Sequence, residues 1–403
     1  MSLKRICYDC GHRTTEPVAR CVCGEPLWLD TDYGPFDWND TTDEQGMWRF
    51  DALLPVSRPD GLAAAAGGTP LISGTPLDAY AGTNVHLKLE GEHPTGSFKD
   101  RGSALGLAAV DAGLVGEVTA VGTVSHGNMA MSTAAYTAAH DCPCVVFVPD
   151  DIPPERLAVI SQFGPTVVDV AGDYGRLYDI TLERGPDHGI LFLNSDVPLR
   201  VEGQKTTALE ICAAFAPAVP DALVMPVSSG GHASGAWKAV RELFDAGAID
   251  EVPELYFVQA SACSPVADAY EAGAEDVTRV VADETIAYSI ANPDPPSGTR
   301  ALRAARETGG AAIAVDDDEI RTAQRALAVE AGVTVEPASA TALAGTKQLV
   351  ERGMLDASDE VAVVLTGTGL KEAAASGAVA RSDDHVDVDA VEGYLTGFAG
   401  TIE

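Results

Sequence analysis

An α/β chain with two three-layer domains of mostly parallel sheet, preceded by a small cysteine-bearing module, is what this sequence predicts. Three observations carry that expectation. Short β-branched runs at 119–123, 144–148, 166–170, 190–193, 222–226, 254–259, 311–315 and 360–365 alternate with alanine-rich helical stretches, the pattern of parallel strands joined by crossover helices. The chain has 403 residues, 46% of them hydrophobic, enough for two core-forming domains and a small appendage. Ahead of the alternation stand two close cysteine pairs, each followed by glycine: Cys7-Tyr8-Asp9-Cys10-Gly11 and Cys21-Val22-Cys23-Gly24.

The cysteine module comes first in the chain. Four thiolates at this spacing can surround a tetrahedral Zn²⁺, and glycine suits the tight turns of a metal knuckle. Cys7, Cys10, Cys21 and Cys23 are therefore the candidate metal ligands of a closed, structural site within residues 1–29, with metal-free reduced thiols as the alternative. Cys142, Cys144, Cys212 and Cys263 stand in apolar surroundings and read as small core residues. Residues 29–39 are polar and turn-rich, a linker into the main fold.

The charge bounds the partners. A formal net charge of -34, spread along the chain, would repel nucleic acid and anionic membranes alike. Dispersed acid with few lysines suits a surface that stays hydrated in molar salt, where the Debye length falls to about 3 Å. An acidic face that attracts a cationic partner is the weaker alternative. No apolar run reaches the roughly 20 residues of a membrane span, and Met1-Ser2-Leu3-Lys4-Arg5 leads into the cysteines rather than a signal-peptide core, so a cytoplasmic protein without membrane or nucleic-acid partners is expected.

The strand-to-helix turn expected at 85–102 carries the chemistry. Residues 85–89 read as a buried strand, Pro94-Thr95-Gly96 as a turn, and Ser97 as the opening of a helix with Lys99 in its first turn. A helix start disfavours an ammonium, and a neutral amine is what Schiff-base chemistry needs. Lysine is otherwise confined to Lys4, Lys88, Lys205, Lys238, Lys347 and Lys371, so it is avoided wherever it is optional.

The run Pro94-Thr95-Gly96-Ser97-Phe98-Lys99-Asp100-Arg101-Gly102 resembles the cofactor-lysine motif of threonine synthases, within the tryptophan-synthase-like fold (type II) of pyridoxal 5'-phosphate (PLP) enzymes. The resemblance implies that Lys99 carries PLP as a Schiff base and serves as general base. It also suits the cysteine module, since related archaeal enzymes often bear a zinc ribbon. The domain division expected is 30–110 with 200–381 as the large PLP-binding domain, 111–199 as the small domain, and 382–403 as an acidic C-terminal segment.

Loops after strands supply the remaining candidates, because parallel sheets bind ligands at their carboxyl ends. Ser125-His126-Gly127-Asn128-Met129 resembles the family's Ser/Thr-x-Gly-Asn-Thr loop, which implies Asn128 at the cofactor's 3'-oxygen and Ser125, His126, Gly127 and Met129 around the substrate carboxylate. Met129 departs from the usual threonine. Asn194-Ser195-Asp196-Val197-Pro198-Leu199-Arg200-Val201-Glu202-Gly203-Gln204-Lys205-Thr206 is similar to the segment whose asparagine, serine and arginine serve the substrate phosphate, which implies that role for Asn194, Ser195 and Arg200.

Ser228-Ser229-Gly230-Gly231-His232 stands where the family holds the cofactor phosphate on backbone N–H groups, although Ser228, Ser229 and His232 differ from the usual Gly-Asn-Ala-Gly-Asn type. Thr366, in a segment resembling Thr-Gly-His-Gly-Leu-Lys-Asp, is implied at the pyridine nitrogen, with Thr368 replacing histidine. The resemblance implies conversion of O-phospho-L-homoserine and water to L-threonine and phosphate, by a homodimer. The alternatives are β-replacement of O-phosphoserine, as in cysteate synthase, dehydration of a hydroxy amino acid, or a non-catalytic zinc-ribbon scaffold.

Overall fold

The computed structural model describes residues 3–31, 33–42, 45–125, 127–150, 152 and 154–371; His126 and the segment 382–403 lie outside them. Its six-stranded sheet runs, in spatial order, Ala312–Val315, Glu254–Ala260, Ala222–Pro226, Glu360–Leu365, Asn84–Leu89 and Leu71–Ile72. All neighbours are parallel except the last pair. A second, four-stranded parallel sheet is ordered Thr166–Val170, Cys144–Pro149, Ala120–Val124 and Ile190–Phe192. The α/β class holds, and the strands read from β-branched runs lie within a residue of their expected bounds. The antiparallel edge strand Leu71–Ile72 was not foreseen, since two residues after Pro70 carry no alternation to detect.

Parallel strands are covered on both faces, so they are apolar throughout rather than alternating. Val361, Ala362, Val363, Val364 and Leu365 are all buried in the central strand. One face packs on a cluster containing Trp237, Leu243 and Phe257, the other on one containing Leu87, Val258 and Leu343.

The helix Lys99–Asp111 starts beside the six-stranded sheet, but its Ala104, Leu105 and Ala108 pack with Val121, Tyr136 and Leu193 of the four-stranded layer. It thereby joins the two sheets. Its backbone crosses the helix Pro198–Gln204 so closely that a Cβ at Gly203 would collide with the Arg101 carbonyl. Only glycine permits that approach.

The helix begins two residues later than Ser97 because Ser97 is held in an antiparallel bridge to Gly367. The stretch expected to be a linker is pinned as well. Phe36 is buried, and Trp38 donates from Nε1 to Ala248 O at 3.0 Å.

The N-terminal module is a three-stranded antiparallel sheet, Arg13–Thr14, Arg5–Cys7 and Leu27–Leu29 in spatial order. It docks through aromatic rings: Trp28 meets Trp237 edge-on with centroids 5.1 Å apart, and Trp28 Nε1 donates to Ser234 Oγ at 2.8 Å. Arg303 adds an ion pair to Asp9.

Candidate active site

The carboxyl ends of both sheets open onto one cavity of about 510 Å³. Leu89 leads to the turn before Lys99, Pro226 to Ser228–His232, Leu365 to Thr366, and Val124 to Ser125 and Asn128. Lys99, Ser125, Gly127, Asn128, Met129, Ser195, Ser228, Ser229, Gly230, His232 and Thr366 all line it. A second cavity, of about 380 Å³, lies between the N-terminal module and Leu114–Val118, lined by none of these residues.

Lys99 is the first residue of its helix, and its amine lies 4.4 Å from the centroid of the Phe98 ring. That ring stacks on the His232 imidazole, centroids 4.0 Å apart at 10°. Burial lowers the Lys99 pKa to about 7, Arg200 adds to the effect, and Glu336 opposes it. The helix start contributes position; loss of solvation is what makes the amine available as a neutral base. His232 donates to or accepts from Thr207 Oγ1 through Nε2 at 3.0 Å, while burial holds its pKa down at about 3, so the imidazole is neutral.

Asn128 donates from Nδ2 to Glu336 Oε1 at 2.7 Å, and its Oδ1 accepts from Lys371 Nζ at 2.6 Å. Thr366 Oγ1 shares a hydrogen bond with Ser339 Oγ at 2.8 Å. Gly230 has φ +84°, and a Cβ there would strike Ser297 O; it ends the loop at the start of the 15-residue helix Gly231–Asp245. Gly231 lies behind it, packed on Ser195 O.

These groups fit PLP. An amine facing a cavity can form the Schiff base, Gly230 and Gly231 supply backbone N–H groups at a helix N-terminus for the phosphate, and the Thr366 hydroxyl suits the ring nitrogen. The buried His232 Nδ1 has no hydrogen-bond partner in the bare site, leaving a polar atom for the cofactor's shell.

Two residues expected at the phosphate sit behind the wall. Asn194 is fully buried, accepting from Val124 N at 2.9 Å and donating to Thr181 Oγ1 at 3.2 Å. Arg200 is also fully buried: Nε donates to Leu193 O at 2.9 Å, Nη1 to Lys99 O at 3.1 Å, and Nη2 to Thr133 Oγ1 at 2.9 Å and Ser103 Oγ at 3.3 Å. Ser195 alone of the three faces the cavity. Thr368 faces away, against Gly91 and Gly96.

The sequence reading missed Glu336, Phe98, Arg20, Arg156 and Arg279, which also line the cavity. Glu336 had a weak signal in Glu336-Pro337, a helix start with proline at its first position. The arginines had none, because docking of distant segments brings them in.

In the N-terminal module the four Sγ atoms lie within 4.8 Å of one another, with Cys10–Cys21 at 3.5 Å and Cys7–Cys23 at 3.6 Å. Tetrahedral Zn–S bonds of about 2.3 Å put sulfurs about 3.8 Å apart, so the donor set fits a closed metal site. The module's own core is only Cys7, Cys21 and Leu27, too little to hold it. Stripping the metal with a chelator should therefore lower Tm, by calorimetry, and release one zinc per chain. A protein carrying no metal, or indifferent to its loss, would refute this assignment.

A buried lysine whose pKa is lowered to about 7, facing a cavity floored by a helix N-terminus at the ends of parallel strands, defines a Schiff-base enzyme of the PLP type. Comparison with known proteins agrees. Residues 62–367 match the family described as "Pyridoxal-phosphate dependent enzyme". The threonine synthase of Methanocaldococcus jannaschii is 35% identical over 395 residues, covering 95% of this chain and 96% of that protein.

That of Methanosarcina acetivorans is 34% identical over 375 residues, 91% of each chain. In structure, maize serine racemase superposes with a TM-score of 0.63 over 83% of this chain and 93% of its own, at 20% identity, a likeness of fold. The chain belongs to the PLP-dependent enzyme family of fold type II. It is a β-replacement or elimination enzyme related to threonine synthase. Among the described residues no helix is long and apolar enough to cross a membrane.

Proposed function

We propose that this enzyme is a threonine synthase, converting O-phospho-L-homoserine and water to L-threonine and phosphate. The observation that carries the reading is the match, over 95% of this chain, to the threonine synthase of Methanocaldococcus jannaschii. Three arginines on the cavity wall, Arg20, Arg156 and Arg279, support it, since guanidinium groups suit a substrate with a phosphate and a carboxylate, although Asp173, Asp179, Asp294 and Glu336 share that wall.

Bound PLP supplies an electron sink that acidifies the substrate's carbon-bound protons. The Lys99 amine would move protons at Cα, Cβ and Cγ, its lowered pKa letting it accept and donate near neutrality. The Cγ–O bond breaks as phosphate leaves, Cγ gains a proton, and water adds its hydroxyl at Cβ, so the equation balances. Ser195 serves the departing phosphate from the wall, and Asn194 and Arg200 hold that wall from behind. The Ser125–Gly127–Asn128 loop receives the substrate carboxylate. A high-salt setting is supported by the charge of -34 spread along the chain, and a homodimer by the family resemblance alone.

One observation favours a second reading. Met129 brings a thioether to the cavity where a hydroxyl is usual, which suits a different acceptor, as in β-replacement on O-phosphoserine or dehydration of a hydroxy amino acid. Product analysis in high salt with PLP decides: O-phosphohomoserine and O-phosphoserine are supplied in parallel, and phosphate and the new amino acid are followed. Threonine with equimolar phosphate from phosphohomoserine is expected. Phosphate from phosphoserine alone, or from neither, would withdraw the threonine synthase reading.

A further inference from the structure

Arg20 stands immediately before the metal-ligand cysteine Cys21, yet its side chain reaches the cavity of the catalytic domains. Nη1 donates to Asp196 Oδ2 at 2.9 Å and to Pro296 O at 3.3 Å. These bonds engage one nitrogen of the guanidinium; Nε and Nη2 have no hydrogen-bond partner among the described residues, and the side chain keeps 26% of its exposure. A purely structural arginine tie would be expected to engage its carboxylate with the whole fork.

The partner is equally informative. Asp196 is buried and also accepts from Ser297 Oγ at 2.9 Å and from the Tyr178 hydroxyl. Tyr178 in turn shares a hydrogen bond of 3.2 Å with Ser195 Oγ. Arg20, Asp196, Tyr178 and Ser195 thus form one connected set, and both its ends, Arg20 and Ser195, line the cavity.

Arg20 brings a charged group to that end of the cavity. An arginine guanidinium stays cationic at any working pH, so Arg20 offers a charged donor. Asp196 also faces the buried Arg300, whose Nε and Nη2 have no hydrogen-bond partner. The Arg20–Asp196–Arg300 group carries one net positive charge, and the carboxylates of Asp179 and Asp294 stand opposite it on the cavity wall. The other cavity arginines have different stations. Arg156 lies over the Tyr288 ring, 4.9 Å from its centroid, next to Gly127 at the opposite loop, and Arg279 pairs with Asp173 at 3.2 Å.

We propose that Arg20, delivered by the N-terminal metal module, reads the phosphate of the substrate together with Ser195. The inference rests on a phosphorylated substrate and deepens that reading: the metal module becomes a specificity element of the active site. Two free donors on a fixed guanidinium suit bidentate capture of a phosphate, which a lysine ammonium reproduces only in part.

The test uses the PLP-loaded, metal-loaded full chain and 2-amino-5-phosphonopentanoate, the phosphonate in which CH₂ replaces the ester oxygen of phosphohomoserine. Calorimetric titration should give a Kd at least about tenfold weaker for Arg20→Ala, with an intermediate value for Arg20→Lys. Metal content and the cofactor's visible absorption should match the parent protein, while Tm falls because the buried Asp196 loses an ion-pair partner. Arg303→Ala, which loosens the same module at Asp9 away from the cavity, should bind the phosphonate as the parent does.

Equal binding by the parent and Arg20→Ala would overturn the assignment of Arg20 while leaving a phosphorylated substrate in place. Equal weakening by Arg303→Ala would overturn it too, because docking of the module would then account for the effect. If the parent protein itself ignores the phosphonate, the phosphorylated-substrate reading falls and this inference with it.

Discussion

Replacing Lys99 with alanine is expected to remove the cofactor's Schiff-base absorption and to lower turnover by at least about 10³-fold, because one group is both anchor and base. Both losses should come with the fold intact, since alanine suits a helix and the lysine amine, lying over the Phe98 ring, makes no hydrogen bond among the described residues. The same amine sets a pH dependence. In cofactor-free protein it titrates at about 7, held down first by burial and then by Arg200, so PLP reacts with the neutral form above that pH.

The reconstitution rate, followed by visible absorption, should rise from acid pH to a plateau just above neutrality. Stability carries the matching sign. Between pH about 7 and the ordinary lysine range the unfolded chain binds more protons at this residue than the folded chain does. The contribution of Lys99 to stability therefore becomes less unfavourable as pH rises through that window. Persistence of absorption and turnover in the alanine variant would remove Lys99 from the chemistry.

Much of this was legible because parallel sheets write themselves plainly. Strands buried on both faces give unbroken apolar runs, and the loops after them had to carry the site. The scarcity of lysine was also informative. Lys88 pairs with Glu210 at 2.6 Å, Lys205 with Glu202 at 2.7 Å, Lys238 with Glu242 at 2.6 Å, and Lys371 donates to Gly96 O at 3.0 Å.

What local sequence could not separate was a motif that touches substrate from one that builds the floor beneath it. Glu202-Gly203-Gln204-Lys205 looks like a substrate segment, yet its charges close a buried cluster with Lys238 and Glu242, and its glycine lets two helix backbones meet. Arg101 shows the same thing. It lies beside the reactive lysine in sequence, but its guanidinium is fully buried between Glu90 and Glu210, at 2.7 Å from each. Arg20 is the converse case. It acts at a distance of 176 residues from Asp196, so nothing near it in sequence announced the cavity.

Arg200 gives the second large effect, and two roles make opposite forecasts for it. A residue that only grips the substrate phosphate, when cut to alanine, would raise KM for phosphorylated substrates and leave the free protein unchanged. The bonds observed argue for a positioning role. Loss of the guanidinium would strip Leu193 O, Lys99 O, Thr133 Oγ1 and Ser103 Oγ of a common donor and open a void under the reactive lysine.

Arg200→Ala should therefore lower stability by about 2–4 kcal/mol in denaturant titration. It should also cut kcat more than it raises KM. Because the Arg200 charge helps hold the Lys99 pKa down, its removal should shift the midpoint of PLP reconstitution to higher pH. Arg200→Lys should rescue that midpoint in part, restoring a charge but not four directed bonds. An unchanged midpoint and stability, with only KM altered, would make Arg200 a direct phosphate ligand in the working enzyme. The resting hydrogen bonds would then have to exchange on substrate binding, and a guanidinium buried without a carboxylate against it, its pKa lowered to about 10 by burial, is chemically suited to accept an anionic partner.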